Sequence, residues 1–188
     1  AQMRNGAPYD ILLSADEATP HKLESEGRTL AGSSYTYATG KLVLWSALSE
    51  RVDRQGKVLN SNHFAHIAIV NPRLAPYGAA AVEAMRKLGV YESLQGKIVQ
   101  GENLTQVYQF IASGNAELGF IALSQIFHDG SYARGSYWIV PENLYPPLRQ
   151  NAVILTRGAN NPGAVDFINY LKNPKTKSVI QSFGYAIY

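Results

Sequence analysis

Short apolar runs recur along the chain, and their composition predicts β-strands. Each run has about three to five residues, is rich in branched or aromatic side chains and ends near turn-forming residues, as is typical of strands in a buried sheet. A turn at Thr39 and Gly40 is expected between the second and third strands. The predicted strands cover 10–14, 34–38, 42–45, 67–70, 97–99, 118–121, 137–140 and 152–155.

Helical periodicity and helix-boundary residues predict helices between these strands. In one of them Ala81, Met85 and Leu88 recur at helical spacing, and in another Thr19 and Pro20 form a favourable helix start. Because strands alternate with helices, we expect an α/β protein with a parallel or mixed sheet. The predicted helices cover 20–26, 77–88 and 103–112, and two more begin at the Asn-Pro pairs 161–162 and 173–174.

The composition is that of a folded protein without specialised segments. The chain has 188 residues, of which 46% are hydrophobic and 16% charged, and its net charge is +3. The basic residues are scattered and do not interleave with aromatic ones, so a solvated surface is favoured over a nucleic-acid interface. No apolar stretch approaches the roughly 20 residues that span a bilayer. The chain contains no cysteine, which excludes disulfides and thiol chemistry.

No catalytic or metal-binding motif is recognisable. His63 and His66 could share a helix face, but no acidic residue lies nearby to complete a metal site. The G-x-S-x-G, P-loop and G-x-G-x-x-G patterns are all missing. An enzyme acting on small acids is therefore a weak hypothesis, because the sequence offers no nucleophile–base pair.

Two segments, 70–79 and 100–105, lead from a predicted strand through a loop directly into a predicted helix. A helix start presents N–H groups and a partial positive charge, so it can bind an anion without a charged side chain. In open α/β sheets such loops lie at the carboxyl ends of the strands, where ligands usually bind. Every α/β protein has turns of this kind, and alone they favour an ordinary structural role.

Four blocks of sequence resemble the periplasmic molybdate-binding proteins. The segment 5–16 is similar to the N-G-A-P-x-D-x-x-x-S-A-D pattern of that family. Three further blocks agree in order and spacing: 75–78, 114–120, and the ending from 170–172 through 183–185. The likeness covers essentially the whole chain, and four blocks in register make a chance match improbable.

The resemblance implies a type II periplasmic-binding-protein-like α/β fold with mixed sheets. Two lobes would be joined by crossover strands, with the oxyanion in a central cleft. Lobe I would comprise 1–43 and 152–188, and lobe II would comprise 44–151. Relatives begin with two strands and two loops that carry ligand-binding Ser or Thr residues, and none of these lies in this chain. We therefore expect an N-terminal truncation and an incomplete first lobe.

The resemblance also implies the binding residues. In the family, main-chain N–H groups at the positions of Tyr77 and Leu104 hold the ligand, and the adjoining Gly78 and Asn103 complete the expected set. Some relatives place a tyrosine hydroxyl at the position of Ala122, so that contact is expected to be lost here. The implied ligand is molybdate or tungstate, which are nearly the same size. No cofactor and no directly bound metal ion are expected.

The function implied by the resemblance is capture of the oxyanion and its delivery to the permease of an ABC importer. The protein would be periplasmic, or extracellular and lipid-anchored, with no catalysis, no nucleic-acid binding and no membrane insertion. The alternative from another class is an oxyanion-sensing or small-acid-sensing domain of a transcription regulator with the same kind of fold. That alternative would need a DNA-binding helix-turn-helix, and the basic recognition surface is missing.

Overall fold

The computed structural model describes residues 6–61 and 63–187, which form two compact units. Unit 1 contains the described residues as far as Thr39, together with 149–181 and 186–187. Unit 2 contains 40–148 and 182–185. None of the helices in the described part of the chain is long and apolar enough to cross a membrane.

Unit 1 is built on a three-stranded sheet in the order β1-β10-β2. These strands are β1 (Ile11–Ser14), β2 (Tyr35–Gly40) and β10 (Leu148–Ile154), and β1 runs antiparallel to β10. The accompanying helices are α1 (Ala18–Ser25), α5 (Pro162–Lys172) and α6 (Pro174–Ser182). The apolar faces of β10 and α5 form the core of this unit through Ala152, Ile154, Ala164, Ile168 and Leu171.

Unit 2 is built on a five-stranded mixed sheet in the order β5-β4-β6-β3-β9. Strand β4 is parallel to its neighbours β5 and β6, whereas β3 is antiparallel to β6 and β9. The strands are β3 (Leu42–Ser46), β4 (Ile67–Val70), β5 (Ile98–Gly101), β6 (Leu118–Ala122) and β9 (Ser136–Ile139). The remaining elements are the hairpin β7 (Phe127–His128) and β8 (Ser131–Tyr132) and the helices α2 (Pro76–Lys87), α3 (Tyr91–Leu94) and α4 (Leu104–Ala112).

The centre of the unit 2 sheet is fully enclosed. Every residue of β3, β4 and β6 is buried, because helices or loops cover both faces of the sheet. Burial of one large aliphatic or aromatic side chain contributes about 1.5–3 kcal/mol, so these strands form a rigid base for the loops at their ends.

Glu117 anchors the loop that precedes β4. Its carboxylate accepts hydrogen bonds from the amides of Ala65 and His66, each at 2.9 Å. Burial alone would raise the pKa of Glu117, but these amide hydrogen bonds more than offset burial and hold the pKa below its usual value. His63 and His66 both lie outside helices, so the shared helix face considered from the sequence does not form.

Several boundaries differ from the predicted ones for local reasons. Helix α1 begins at Ala18 rather than at Pro20, because the Asp16 carboxylate accepts the Thr19 amide at 2.6 Å. The predicted turn at Thr39 and Gly40 is wrong. Both residues continue β2, where Thr39 forms an antiparallel bridge with Ala186.

Candidate anion-binding site

Three loops lie at one edge of the unit 2 sheet. Since β4, β5 and β6 are parallel, their carboxyl ends meet at the same edge, with β4 in the middle. The loops that follow these strands are 71–75, 102–103 and 123–125. The first two lead directly into helices α2 and α4, so two helix starts are brought to neighbouring positions.

Asn71 organises the loop after β4 and joins it to β5. Its amide donates to the carbonyl oxygen of Gly101 at 2.8 Å, and its side-chain oxygen accepts from the Arg73 amide at 3.0 Å. Its carbonyl accepts the amides of Leu74 and Ala75 at 3.0 and 3.1 Å. One residue therefore fixes the loop before α2 relative to the strand that leads into α4. The sequence predicts this loop but not the role of Asn71.

Helix α2 begins tightly against the end of β4. Ala75 precedes the helix in an extended conformation, and Pro76 occupies its first position, which suits proline. At Gly78 a Cβ atom would lie 2.0 Å from the carbonyl oxygen of Val70, so only glycine allows this close approach. The Gly78 amide donates to the Ala75 carbonyl at 3.1 Å. Tyr77, between Pro76 and Gly78, is buried in the first turn.

Helix α4 begins with a side-chain cap. Asn103 is extended, and its side-chain oxygen accepts the Gln106 amide at 2.9 Å, while the Gln106 side chain accepts the Glu102 amide at 2.7 Å. The Asn103 side chain is therefore the cap of α4. Among the described residues, none accepts a hydrogen bond from the amides of Leu104 or Thr105.

The electrostatics of the two helix starts suit a negatively charged ligand. First-turn amides point out of the N-terminal end of a helix and carry its partial positive charge. The first turns of α2 and α4 contain no acidic residue. In the described part of the chain, no group of three or more His, Asp or Glu side chains could hold a metal ion. The arrangement can therefore accept a small anion through neutral main-chain donors.

The structure brings the sequence-predicted residues to the same edge of the sheet. Tyr77 and Gly78 lie in the first turn of α2, and Asn103 and Leu104 form the start of α4. Ala122 is buried at the end of β6, which leads into the third loop. Tyr77, Gly78, Asn103 and Leu104 remain predicted ligand-binding residues.

Residues 1–186 match the bacterial extracellular solute-binding proteins, and the chain belongs to that family. It is 54% identical over 187 residues to the molybdate-binding protein ModA of Azotobacter vinelandii, covering 100% of this chain and 74% of that protein. It is 47% identical over 185 residues to ModA of Rhodobacter capsulatus, covering 98% of this chain and 72% of that protein. The solved structure of the Azotobacter vinelandii periplasmic molybdate-binding protein matches with a TM-score of 0.95 and 45% identity, covering 100% of this chain and 82% of that chain.

These similarities confirm the resemblance and the type II periplasmic-binding fold expected from the sequence. They also decide between the classes of function that the sequence left open. Membership of a solute-binding family supports a binding protein over a sensing domain of a transcription regulator and over an enzyme.

Proposed function

We propose that the protein captures molybdate and delivers it to the permease of an ABC importer. The relatives named as molybdate-binding proteins align over essentially this whole chain, including both loop-to-helix junctions. Tungstate is a second expected ligand, because it has the same shape and charge and nearly the same size. The observation that carries the proposal is the similarity to molybdate-binding proteins over the whole chain. The structure supports it by placing two helix starts at one edge of the sheet, where Asn71 joins the loop before α2 to the end of β5.

Within this site the main-chain amides of Tyr77 and Leu104 donate to the oxyanion. Gly78 and Asn103 set the geometry of these donors, Gly78 by its close packing on Val70 and Asn103 by capping α4. A hydrogen bond to a charged acceptor contributes about 1.5–3 kcal/mol, and the helix dipoles add to this at each junction. Neutral donors suit reversible capture, since no buried positive charge is left uncompensated when the anion departs.

The proposed partners and location follow from the family. We expect the protein to be periplasmic, or held outside the cell by a lipid anchor, and to contact the permease without entering the membrane. The two units are proposed to correspond to the two lobes, which the resemblance places at 1–43 with 152–188 and at 44–151. The main boundaries of the units lie three or four residues earlier, at 39/40 and 148/149.

Calorimetric titration of the full-length protein with molybdate, tungstate, sulfate and phosphate tests this function. Molybdate and tungstate should bind one to one, and both should bind at least about 100-fold tighter than the other two anions, a difference of about 2.7 kcal/mol. Phosphate serves as the matched control, because it is also a tetrahedral oxyanion but is smaller and can be protonated. Tighter binding of phosphate or sulfate, or no binding of molybdate, would contradict the proposal.

A further inference from the structure

Gln125 makes two hydrogen bonds at the third loop of the candidate site. It ends the single helical turn Leu123–Gln125 that follows β6, and its side chain is half-buried. Its side-chain oxygen accepts from the Ala122 amide at 3.3 Å, and its side-chain nitrogen donates to the carbonyl oxygen of Leu104 at 3.1 Å. The side chain thus joins the end of β6 to the first residue of α4.

The bond to Leu104 joins the turn after β6 to the start of α4. Helix α4 connects β5 to β6 along the chain, and β4 lies between these two strands in the sheet. Gln125 therefore connects the end of β6 to the helix after β5, while Asn71 connects the loop after β4 to β5. Together the two residues tie all three loops of this edge into one hydrogen-bonded unit.

The bond also fixes the direction of a neighbouring amide. The carbonyl of Leu104 and the N–H of Thr105 belong to one planar trans peptide group, so the two bonds point in opposite directions. The helix already points the Thr105 N–H out of the start of α4, and a donor that holds the Leu104 oxygen reinforces this orientation and polarises the N–H. The Asn103 side chain takes the next amide, that of Gln106, and leaves the Thr105 amide for a ligand.

We infer that Gln125 is a positioning residue for oxyanion binding, and that it aims the Thr105 amide at the ligand as a further donor beside Leu104. This inference rests on the proposed function, because it concerns the same site. It adds two residues, Gln125 and Thr105, to those predicted from the sequence.

The test compares Gln125→Met with Gln109→Met in the full-length protein. Methionine keeps the length of the side chain but cannot donate or accept the two hydrogen bonds. Gln109 is exposed on the same helix α4, so it controls for the chemical change itself. Titration with molybdate should show about 3- to 10-fold weaker binding for Gln125→Met, the range that one neutral hydrogen bond supports, and unchanged binding for Gln109→Met.

Amide NMR supplies a readout that a purely structural role would not change. Saturating molybdate should shift the Thr105 amide proton downfield in the unsubstituted protein and in Gln109→Met, and the shift should shrink in Gln125→Met. If Gln125→Met melts at a lower temperature without ligand, the Thr105 shift measured at saturation distinguishes a positioning role of Gln125 from a general loss of stability. An unchanged affinity and an unchanged Thr105 shift in Gln125→Met would overturn this inference alone. Failure of the unsubstituted protein to bind molybdate would overturn the proposed function, and the inference with it.

Discussion

Replacement of Leu104 by proline would remove one proposed donor and leave its helix intact. Leu104 is the first residue of α4, a position where proline is favoured because its N–H has no partner within the helix. The preceding Asn103 has φ −147° and ψ 167°, the extended conformation that a following proline requires. The carbonyl of residue 104, which accepts from Gln125, is retained.

The matched variant is Leu104→Ala, which loses the side chain but keeps the amide. Leu104 is half-buried against the core of unit 2, so both substitutions lose part of the same apolar contact. They differ in the N–H group, whose hydrogen bond to a charged ligand contributes about 1.5–3 kcal/mol. At about 1.4 kcal/mol per decade, Leu104→Pro should bind molybdate about 10- to 100-fold more weakly than Leu104→Ala.

Calorimetric titration with molybdate and thermal unfolding without ligand measure the two effects separately. The stability of Leu104→Pro should equal or slightly exceed that of Leu104→Ala, because proline restricts the unfolded chain at a compatible position. Weaker binding without lower stability is the expected signature of a lost donor. Equal affinities for the two variants would refute the reasoning and would show that the amide of residue 104 does not contact the anion.

Three other substitutions have defined outcomes. Gly78→Ala should lower the free energy of unfolding, measured by urea denaturation, by about 1–3 kcal/mol, because the new Cβ would lie 2.0 Å from the Val70 carbonyl oxygen. The control is Gly96→Ala, where a Cβ meets nothing within 4 Å, and its free energy of unfolding should change little. Asn103→Asp should keep the helix cap and the melting temperature but weaken molybdate binding about tenfold in titration, because it adds a negative charge beside the anion; equal binding would place the anion elsewhere. Since the pKa of Glu117 is lowered from 4.5 in the folded protein, its contribution to stability is full above that pH and is lost as the pH falls through the folded pKa. Glu117→Gln should therefore lower stability at pH 7 by about 1–2 kcal/mol, and the difference should shrink progressively as the pH falls below 4.5. A pH-independent difference in thermal unfolding would contradict the assignment.

The strands and helices whose bounds were predicted most closely are those determined by nearby residues. Strand β4 was predicted at 67–70, as found, because burial of both its faces makes the sequence a continuous apolar run. Helices α5 and α6 begin at Pro162 and Pro174, the positions that the two Asn-Pro pairs predict. In both cases the Asn side chain accepts a first-turn amide, from Gly163 at 3.0 Å and from Lys175 at 2.9 Å.

The predicted secondary structure was wrong where residues distant in the sequence determine the local structure. Thr39 and Gly40 are typical turn residues, yet the bridge between Thr39 and Ala186 keeps the strand extended. Strand β10 begins at Leu148 rather than at 152, so the strand includes Arg149 and Gln150, two polar residues that precede the apolar run.

In the candidate site, too, features set by nearby residues could be predicted and features set by distant residues could not. The helix starts near Tyr77 and Leu104 could be predicted, each to within one residue, from the spacing of strand, loop and helix. The roles of Asn71 and Gln125 could not be, because their partners Gly101 and Leu104 lie far along the chain, 21 residues away in the case of Gln125. Only the order of the strands in the sheet brings these groups together.

The central claim is that main-chain amides at two helix starts hold molybdate. A crystal structure of the full-length protein with molybdate, with data collected at the molybdenum absorption edge, tests it most directly. We expect one anomalous peak beside the first turns of α2 and α4, with oxyanion oxygens about 2.7–2.9 Å from the amide nitrogens of Tyr77 and Leu104. A peak away from these two helix starts, or an oxyanion held only by side chains, would contradict it.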